Sequence, residues 1–197
     1  MKRPFAVTAL GLALALTAAA GLSGCAGVVI GGGAAVGTAA YSERGVDGAA
    51  RDVRIGTTIN ARYIDFSQDL AIKIGVEVYD GRVLLTGVAA DEQMRADAVR
   101  IAWTVGGVKD VLNEIQMEGG GGLELARDSW ITTQLKTKIT FDKEIMAVNY
   151  SIETVNRTIY LIGLAQSQAE LDRVMSHART IDYVRDVVSH VRIKGMS

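Results

Sequence analysis

The chain contains two copies of one sequence pattern. Shifting the 197-residue sequence by 76 residues aligns residues 52–117 with residues 128–193 without a gap, and 13 aligned pairs are identical. Four consecutive glycines, residues 119–122, lie between the copies and predict a linker over residues 118–127. Each copy, at about sixty residues, is small for an independent hydrophobic core. We therefore expect two similar units that pack together.

Each copy begins with a helical pattern. Ile55, Ile59 and Tyr63 recur every four residues, as expected for a helix with one buried face. Asp52, and Asp128 in the second copy, stand just before this pattern and are candidate N-cap residues.

The rest of each copy predicts a hairpin, a second helix and a third strand. Apolar and polar residues alternate over residues 72–78, and Asp80-Gly81 is typical of a tight hairpin turn. Asn156-Arg157 stands at the same place in the second copy. The fold class is therefore α+β, with each copy arranged α-β-β-α-β and two helices packed on one face of a three-stranded mixed sheet.

The N-terminus has the features of a bacterial lipoprotein signal. Residues 1–3 carry two positive charges, residues 5–20 are uncharged and apolar, and Leu22-Ser23-Gly24-Cys25 resembles a lipobox. This predicts a signal peptide over residues 1–24 and acylation of Cys25, the only cysteine. Several acyl chains, such as palmitate, give stable anchoring where one chain is marginal. No other cofactor is expected.

Residues 25–51 are rich in glycine and alanine and predict a tether between this anchor and the first copy. A phosphate-binding loop at residues 31–37 is disfavoured because the Lys-Ser/Thr ending is missing. Ala26 follows the cysteine, which by resemblance to Gram-negative lipoproteins implies sorting to the outer membrane.

A glycine and a V-x-x-V segment recur at the same places in both copies, and together with the order of elements they resemble the BON domain family. Gly87 and Gly163 are predicted to end the second strand, and Val108-Lys109-Asp110-Val111 and Val184-Arg185-Asp186-Val187 open the third. The resemblance covers nearly all of residues 52–193, so the copies are identified as BON domains 1 (52–117) and 2 (128–193). Together with the lipobox, it implies a non-enzymatic lipoprotein anchored to the periplasmic face of the outer membrane.

The same resemblance implies the partners. A lipoprotein of this kind is expected to bind anionic phospholipid, phosphatidylglycerol or cardiolipin, through domain 2, and to maintain outer-membrane integrity. An association with division sites and with the β-barrel assembly machinery is also implied. The alternative is a protein-interaction adaptor for that assembly machinery.

The repeat itself supports a lipid site on the first helix of domain 2. Trp130 lies outside the apolar stripe of this helix, and its equivalent in the first copy is the charged Arg54. We therefore expect Trp130 to point outward, where an indole with nearby ammonium groups suits a membrane interface. The alternative, a Trp130 that covers the contact between the copies, stays open. The predicted lipid-contact residues are Trp130, Ile131, Thr133, Gln134, Lys136, Thr137 and Lys138.

Composition excludes several other functions. The net charge of −1 disfavours a nucleic-acid partner, and one cysteine cannot form an internal disulfide or a cysteine-rich zinc site. The two histidines, His177 and His190, stand opposite Ile101 and Glu114 in the first copy, so no imidazole site recurs. We predict no metal site and no catalytic residues.

Overall fold

The computed structural model describes residues 41–117 and 123–196, apart from the side chain of Leu123. The predicted signal peptide, Cys25, most of the tether and the four glycines lie outside these ranges. The first unit consists of α1 (Gly45–Phe66), α2 (Gln68–Lys73), β1 (Ile74–Tyr79), β2 (Arg82–Ala89), α3 (Glu92–Trp103), β3 (Asp110–Asn113) and β4 (Gln116–Met117). The second consists of α4 (Leu123–Phe141), a 3₁₀ turn (Ala147–Asn149), β5 (Tyr150–Val155), β6 (Thr158–Ala165), α5 (Gln168–Arg179) and β7 (Asp186–Ile193).

Both sheets are mixed, which confirms the predicted fold class. In the first unit β2 pairs antiparallel with β1 and parallel with β3. In the second, β6 pairs antiparallel with β5 and parallel with β7 over the whole length of β7. The third strand of the first unit is interrupted at Glu114 and Ile115, and its second piece, β4, pairs with the end of β2.

The first helix of each unit begins earlier than predicted. α1 begins at Gly45 and α4 at Leu123, so residues 45–51 and 123–127 are helical rather than tether and linker. Neither Asp52 nor Asp128 is an N-cap, because each lies inside its helix. The buried stripe of α1 continues upstream of the apolar residues through Asp52 and Gly48.

These two aspartates instead hold the hairpins. The carboxylate of Asp52 accepts hydrogen bonds from the backbone N–H groups of Asp80 (2.7 Å) and Gly81 (2.8 Å). Asp128 accepts from Asn156 and Arg157, both at 2.7 Å. All four turn residues have positive φ, so both predicted hairpin turns are confirmed. The recurring aspartate fastens the first helix of each unit to its hairpin.

Gly87 and Gly163 do not end the second strand, as the sequence predicts, but lie inside it. β2 and β6 each run two residues further. A β-carbon at Gly163 would overlap the carbonyl oxygen of Asn149, and one at Gly87 would overlap that of Lys73. Both positions therefore require glycine because the chain entering the preceding strand passes directly over them.

Each unit has its own core between helices and sheet. In the second unit Ile131, Leu135 and Ile139 of α4 pack with strand residues and with Val174 and Ala178 of α5. The first unit repeats the arrangement with Ile55, Ile59 and Tyr63. The hydroxyl of Tyr63 donates to the carbonyl of Ala98, which joins α1 to α3 within this core.

The two units pack together through the other faces of their sheets, as expected. Tyr79 and Leu84 of the first unit form a buried cluster with Tyr160 and Ile162 of the second. At its edge the carboxylate of Glu114 lies 2.7 Å from Nε2 of His190, its equivalent in the repeat. Contact between equivalent residues is characteristic of a two-fold arrangement. The helices consequently cover the two outer faces of the molecule.

Candidate functional site

Helix α4 covers the outer face of the second unit. No glycine or proline interrupts it over residues 123–141, and its apolar residues at 131, 135 and 139 pack inward at helical spacing. The side chains between these positions are left facing water or neighbouring loops. The predicted lipid-contact residues lie on this helix.

Trp130 lies beside an aromatic residue that the sequence analysis did not select. Its indole is 42% exposed, and the ring centroid is 6.1 Å from that of Tyr183, at an interplanar angle of 68°. The guanidinium carbon of Arg127, one helical turn before Trp130, lies 5.1 Å from the centroid of the Tyr183 ring. We call Arg127, Trp130 and Tyr183 the aromatic cluster.

The surroundings of Trp130 bear on whether this side chain covers the contact between the two copies. Its aromatic partner, Tyr183, belongs to the same domain and is itself 61% exposed. The buried apolar cluster between the domains is formed by other residues, Tyr79, Leu84, Tyr160 and Ile162 of the sheets. Trp130 is therefore a partly exposed residue of the outer face.

The polar residues predicted around Trp130 fall on the accessible side of α4. Thr133, Lys136, Thr137 and Lys138 are exposed, and Gln134 is half-buried. The Thr133 hydroxyl donates to the carbonyl of Ser129, and that of Thr137 donates to the carbonyl of Thr133, both at 2.8 Å. Both hydroxyls therefore already have a partner in the helix backbone. The charge of Lys136 favours the ionised forms of Glu77 and Glu153 at the contact between the domains, and Lys138 is exposed.

Ile131 is wrongly placed among the predicted lipid contacts. Its side chain is fully buried in the core of the second unit. One residue along a helix is a rotation of about 100°, which separates the outward Trp130 from the inward Ile131. Ile131 holds the helix on its sheet, while its neighbour faces outward.

The end of α4 carries another exposed aromatic residue. The Phe141 side chain is 83% exposed. Next to it Asp142 accepts hydrogen bonds from His177 Nε2 and Arg173 Nε, both at 2.7 Å. Bonding to His177 and then Arg173 holds the pKa of Asp142 well below its usual range. An open cleft of about 590 Å³ lies alongside, between Ile145, Gln166 and Glu170.

Both histidines lie within residues 41–117 and 123–196, and both are paired with acidic side chains. His177 and His190 each contact a carboxylate, Asp142 and Glu114 respectively. In these ranges no cluster of three or more His, Cys, Asp or Glu side chains could hold a metal ion. Among the helices that the structure describes, none is both long and apolar enough to cross a membrane.

The repeated fold and its two glycine positions define a protein built from two BON domains. The BON domain family matches residues 52–119 and 127–195, so the chain belongs to this family and the resemblance noted in the sequence is confirmed.

Among known proteins, the chain is 31% identical to the outer membrane lipoprotein DolP of Haemophilus influenzae over 170 residues, which cover 80% of this chain and 83% of that protein. It is 40% identical over 131 residues to an uncharacterized protein in the gshII 5′ region of Anaplasma centrale, covering 66% of this chain and 87% of that one. A 21 kDa hemolysin of Actinobacillus pleuropneumoniae is 33% identical over 135 residues, covering 65% and 70%.

Two residues of the aromatic cluster, Arg127 and Tyr183, are not predicted from the sequence. The sequence places Arg127 in the predicted linker, because the helical pattern of the second copy begins at Asp128. Tyr183 stands in a loop, where no periodicity indicates which way a side chain points. The repeat does carry a signal for it, since Tyr183 occupies the position of Gly107 in the first copy.

Proposed function

We propose that this protein is a lipoprotein of the outer membrane, anchored through Cys25, whose second BON domain binds anionic phospholipid with helix α4. In this proposal the protein acts by binding rather than catalysis and supports outer-membrane integrity from the periplasmic face. The observation that carries it is the half-exposed indole of Trp130 on the outer face of the molecule.

The chemistry around Trp130 supports a membrane interface. Indole and phenol rings favour the depth of the lipid headgroups, and lysine and arginine attract anionic lipid. Lys136 and Lys138 are exposed on the same helix, and Arg127 lies against Tyr183. Glu124 accepts a hydrogen bond from Arg127 at 3.1 Å, and Asp142 and Glu144 lie at the end of the helix. The surface is thus only moderately basic, and we expect modest affinity for lipid.

The predicted anchor would compensate for modest affinity. Acylation of Cys25 would leave 15 residues between it and Tyr41, the first residue that the structure describes. Such a segment spans at most about 55 Å when fully extended. Contact between domain 2 and the same bilayer is then intramolecular, and its effective concentration is high.

Similarity to a protein named as an outer membrane lipoprotein supports the same location. Enrichment at division sites is a prediction from the resemblance alone, and a fluorescent fusion in dividing cells tests it. Mass spectrometry of the protein extracted from membranes tests the acylation: diacylglyceryl mass on Cys25 is expected, and its absence in the Cys25→Ser variant is the control.

Vesicle sedimentation tests the lipid site. Residues 26–197 should sediment with vesicles containing phosphatidylglycerol or cardiolipin and should do so less with phosphatidylcholine alone. Trp130→Glu should abolish sedimentation, because a carboxylate replaces the ring among anionic headgroups.

Trp103→Glu is the matched control, since this tryptophan of the first domain is 52% exposed and lies on α3. If the Trp130→Glu variant binds vesicles as well as the parent protein does, with the circular dichroism unchanged, the assignment of the site is refuted. Photo-crosslinks from position 130 to protein rather than lipid would favour the adaptor for the β-barrel assembly machinery.

A further inference from the structure

Tyr183 adopts a backbone conformation that favours glycine. It lies in the loop between α5 and β7, with φ of +69°. The equivalent residue of the first domain is Gly107, with φ of +95°. The loop therefore has a left-handed residue in both domains, but only the second domain places a bulky side chain there. Such a side chain is disfavoured in this conformation, so tyrosine destabilises the loop relative to glycine.

Burial does not explain the tyrosine. The Tyr183 side chain is 61% exposed, and its aromatic contact is with Trp130, which is itself 42% exposed. Two exposed rings in edge contact remove little apolar area from water in the free protein. Contact with a further apolar or interfacial phase would account for a side chain that the fold alone does not require.

The two domains differ at both aromatic positions together. Arg54 and Gly107 of the first domain are replaced by Trp130 and Tyr183 in the second, while Arg51 and Arg127 are the same residue type. The two substitutions lie 53 residues apart in the sequence and meet in space. An arginine common to both copies has thus become part of a cation–aromatic surface in the second domain only.

We propose that Tyr183 is a second interfacial anchor, so that the lipid-contacting surface extends from α4 across the α5–β7 loop. This inference rests on the proposed function and names a further part of the same site. The occupant is the headgroup layer of an anionic bilayer. The two rings lie at headgroup depth. The Arg127 guanidinium beside them is bonded to Glu124 through one nitrogen, and its remaining N–H groups meet lipid phosphate. Asp182 precedes Tyr183 in the sequence and carries a negative charge, so the phenol and not local charge is the main contribution of the loop.

The decisive variant is Tyr183→Gly, because it should weaken lipid binding without lowering the stability of the protein. Removing the side chain relieves the left-handed strain, so the urea midpoint of residues 26–197 should stay the same or rise. Partition into phosphatidylglycerol vesicles should fall about three- to tenfold, in line with the strength of one aromatic contact. Tyr183→Phe keeps the ring and should bind nearly as the parent does.

The fluorescence of an indole at position 183 reports directly whether this side chain enters the lipid interface. A variant with Trp103→Phe, Trp130→Phe and Tyr183→Trp carries its single indole at position 183. Its emission should shift to shorter wavelength on adding phosphatidylglycerol vesicles, and acrylamide should quench it less. The matched protein carries Trp103 alone, with Trp130→Phe and native Tyr183, and its emission should not shift.

The outcomes separate this inference from the proposed function. Failure of the unsubstituted protein to bind any anionic vesicle would overturn both. If the parent binds and Trp130→Glu does not, while Tyr183→Gly binds as the parent does, only the role of Tyr183 is overturned. An unshifted emission from the indole at position 183, in a variant that still sediments with the vesicles, has the same meaning.

Discussion

Glu77 and Glu153 occupy equivalent positions in the two copies, and the packing of sheet on sheet brings them together between the domains. Burial raises the pKa of Glu153 to about 7, and the neighbouring Glu77 contributes to the rise. Burial also raises the pKa of Glu77. The charge of Lys136, a hydrogen bond with Ser151 and the charge of Arg44 each oppose this rise. Two carboxylates in one desolvated site cannot both ionise without a large electrostatic penalty, so the folded protein retains a proton there near neutral pH.

This proton makes stability depend on pH. Because the folded-state pKa lies above the unfolded value of 4.5, the folded state binds the proton more tightly between about pH 4.5 and 7. Stability is therefore highest below this window and falls as pH rises through it. The difference between 4.5 and about 7 corresponds to at most about 3.5 kcal/mol, and solvent at the edge of the contact reduces it to about 1–2 kcal/mol.

Replacing Glu153 by glutamine removes the titration and keeps the shape. Urea unfolding of residues 26–197, followed by circular dichroism from pH 5 to pH 8, measures the effect. The Glu153→Gln variant should be more stable than the parent at pH 8 by about 1–2 kcal/mol, and the difference should shrink toward pH 5. Glu144→Gln, at a side chain 72% exposed, is the control and should follow the parent. A constant difference between Glu153→Gln and the parent at every pH would refute the reasoning.

Three further predictions concern the repeated framework. Asp128→Ala leaves the N–H groups of Asn156 and Arg157 without their acceptor and should lower the free energy of unfolding by about 2–4 kcal/mol in urea titrations; a change below about 0.5 kcal/mol would contradict this. Gly163→Ala places a β-carbon on the carbonyl of Asn149 and should cost at least about 2 kcal/mol in the same assay, where Gly106→Ala, in open space, should cost little. Tyr160→Asp puts a charge into the cluster between the domains and should increase the radius of gyration in small-angle scattering while helical circular dichroism persists; an unchanged radius would show that the sheets stay packed.

The sequence predicts the architecture because two independent copies carry the same pattern. Alternation over residues 72–78 and the turn at Asp80-Gly81 predict a hairpin locally, and their equivalents in the second copy predict it again. The prediction is wrong only at its start, because residues 72 and 73 end helix α2 and β1 begins at Ile74. The mixed sheet follows from the order of elements, since a helix between the second and third strands allows them to run parallel.

Helix ends are less predictable, because tertiary contacts override the local signal. Asp52 looks like an N-cap in the sequence, yet its carboxylate binds the backbone of a hairpin about thirty residues away. A similar limit applies to the third strand of the first domain. The backbone N–H of Glu114 still donates to the carbonyl of Leu85, but that of Ile115 donates to the side-chain oxygen of Asn113, which interrupts the regular pairing.

The candidate site was only partly predictable for the same reason. The comparison of Trp130 with Arg54 correctly indicates an outward side chain, because a charged equivalent cannot lie in the core. Tyr183 lies beside Trp130 because the loop after α5 passes close to α4. No local sequence pattern predicts the course of that loop.

The most direct test of the central claim is vesicle partition of residues 26–197 with Trp130→Glu measured against Trp103→Glu. If helix α4 of the second domain is the lipid-binding surface, the parent and Trp103→Glu should sediment with phosphatidylglycerol vesicles and Trp130→Glu should stay in solution. All three should show the same circular dichroism. Equal partition of the two variants, or loss with Trp103→Glu alone, would contradict the claim.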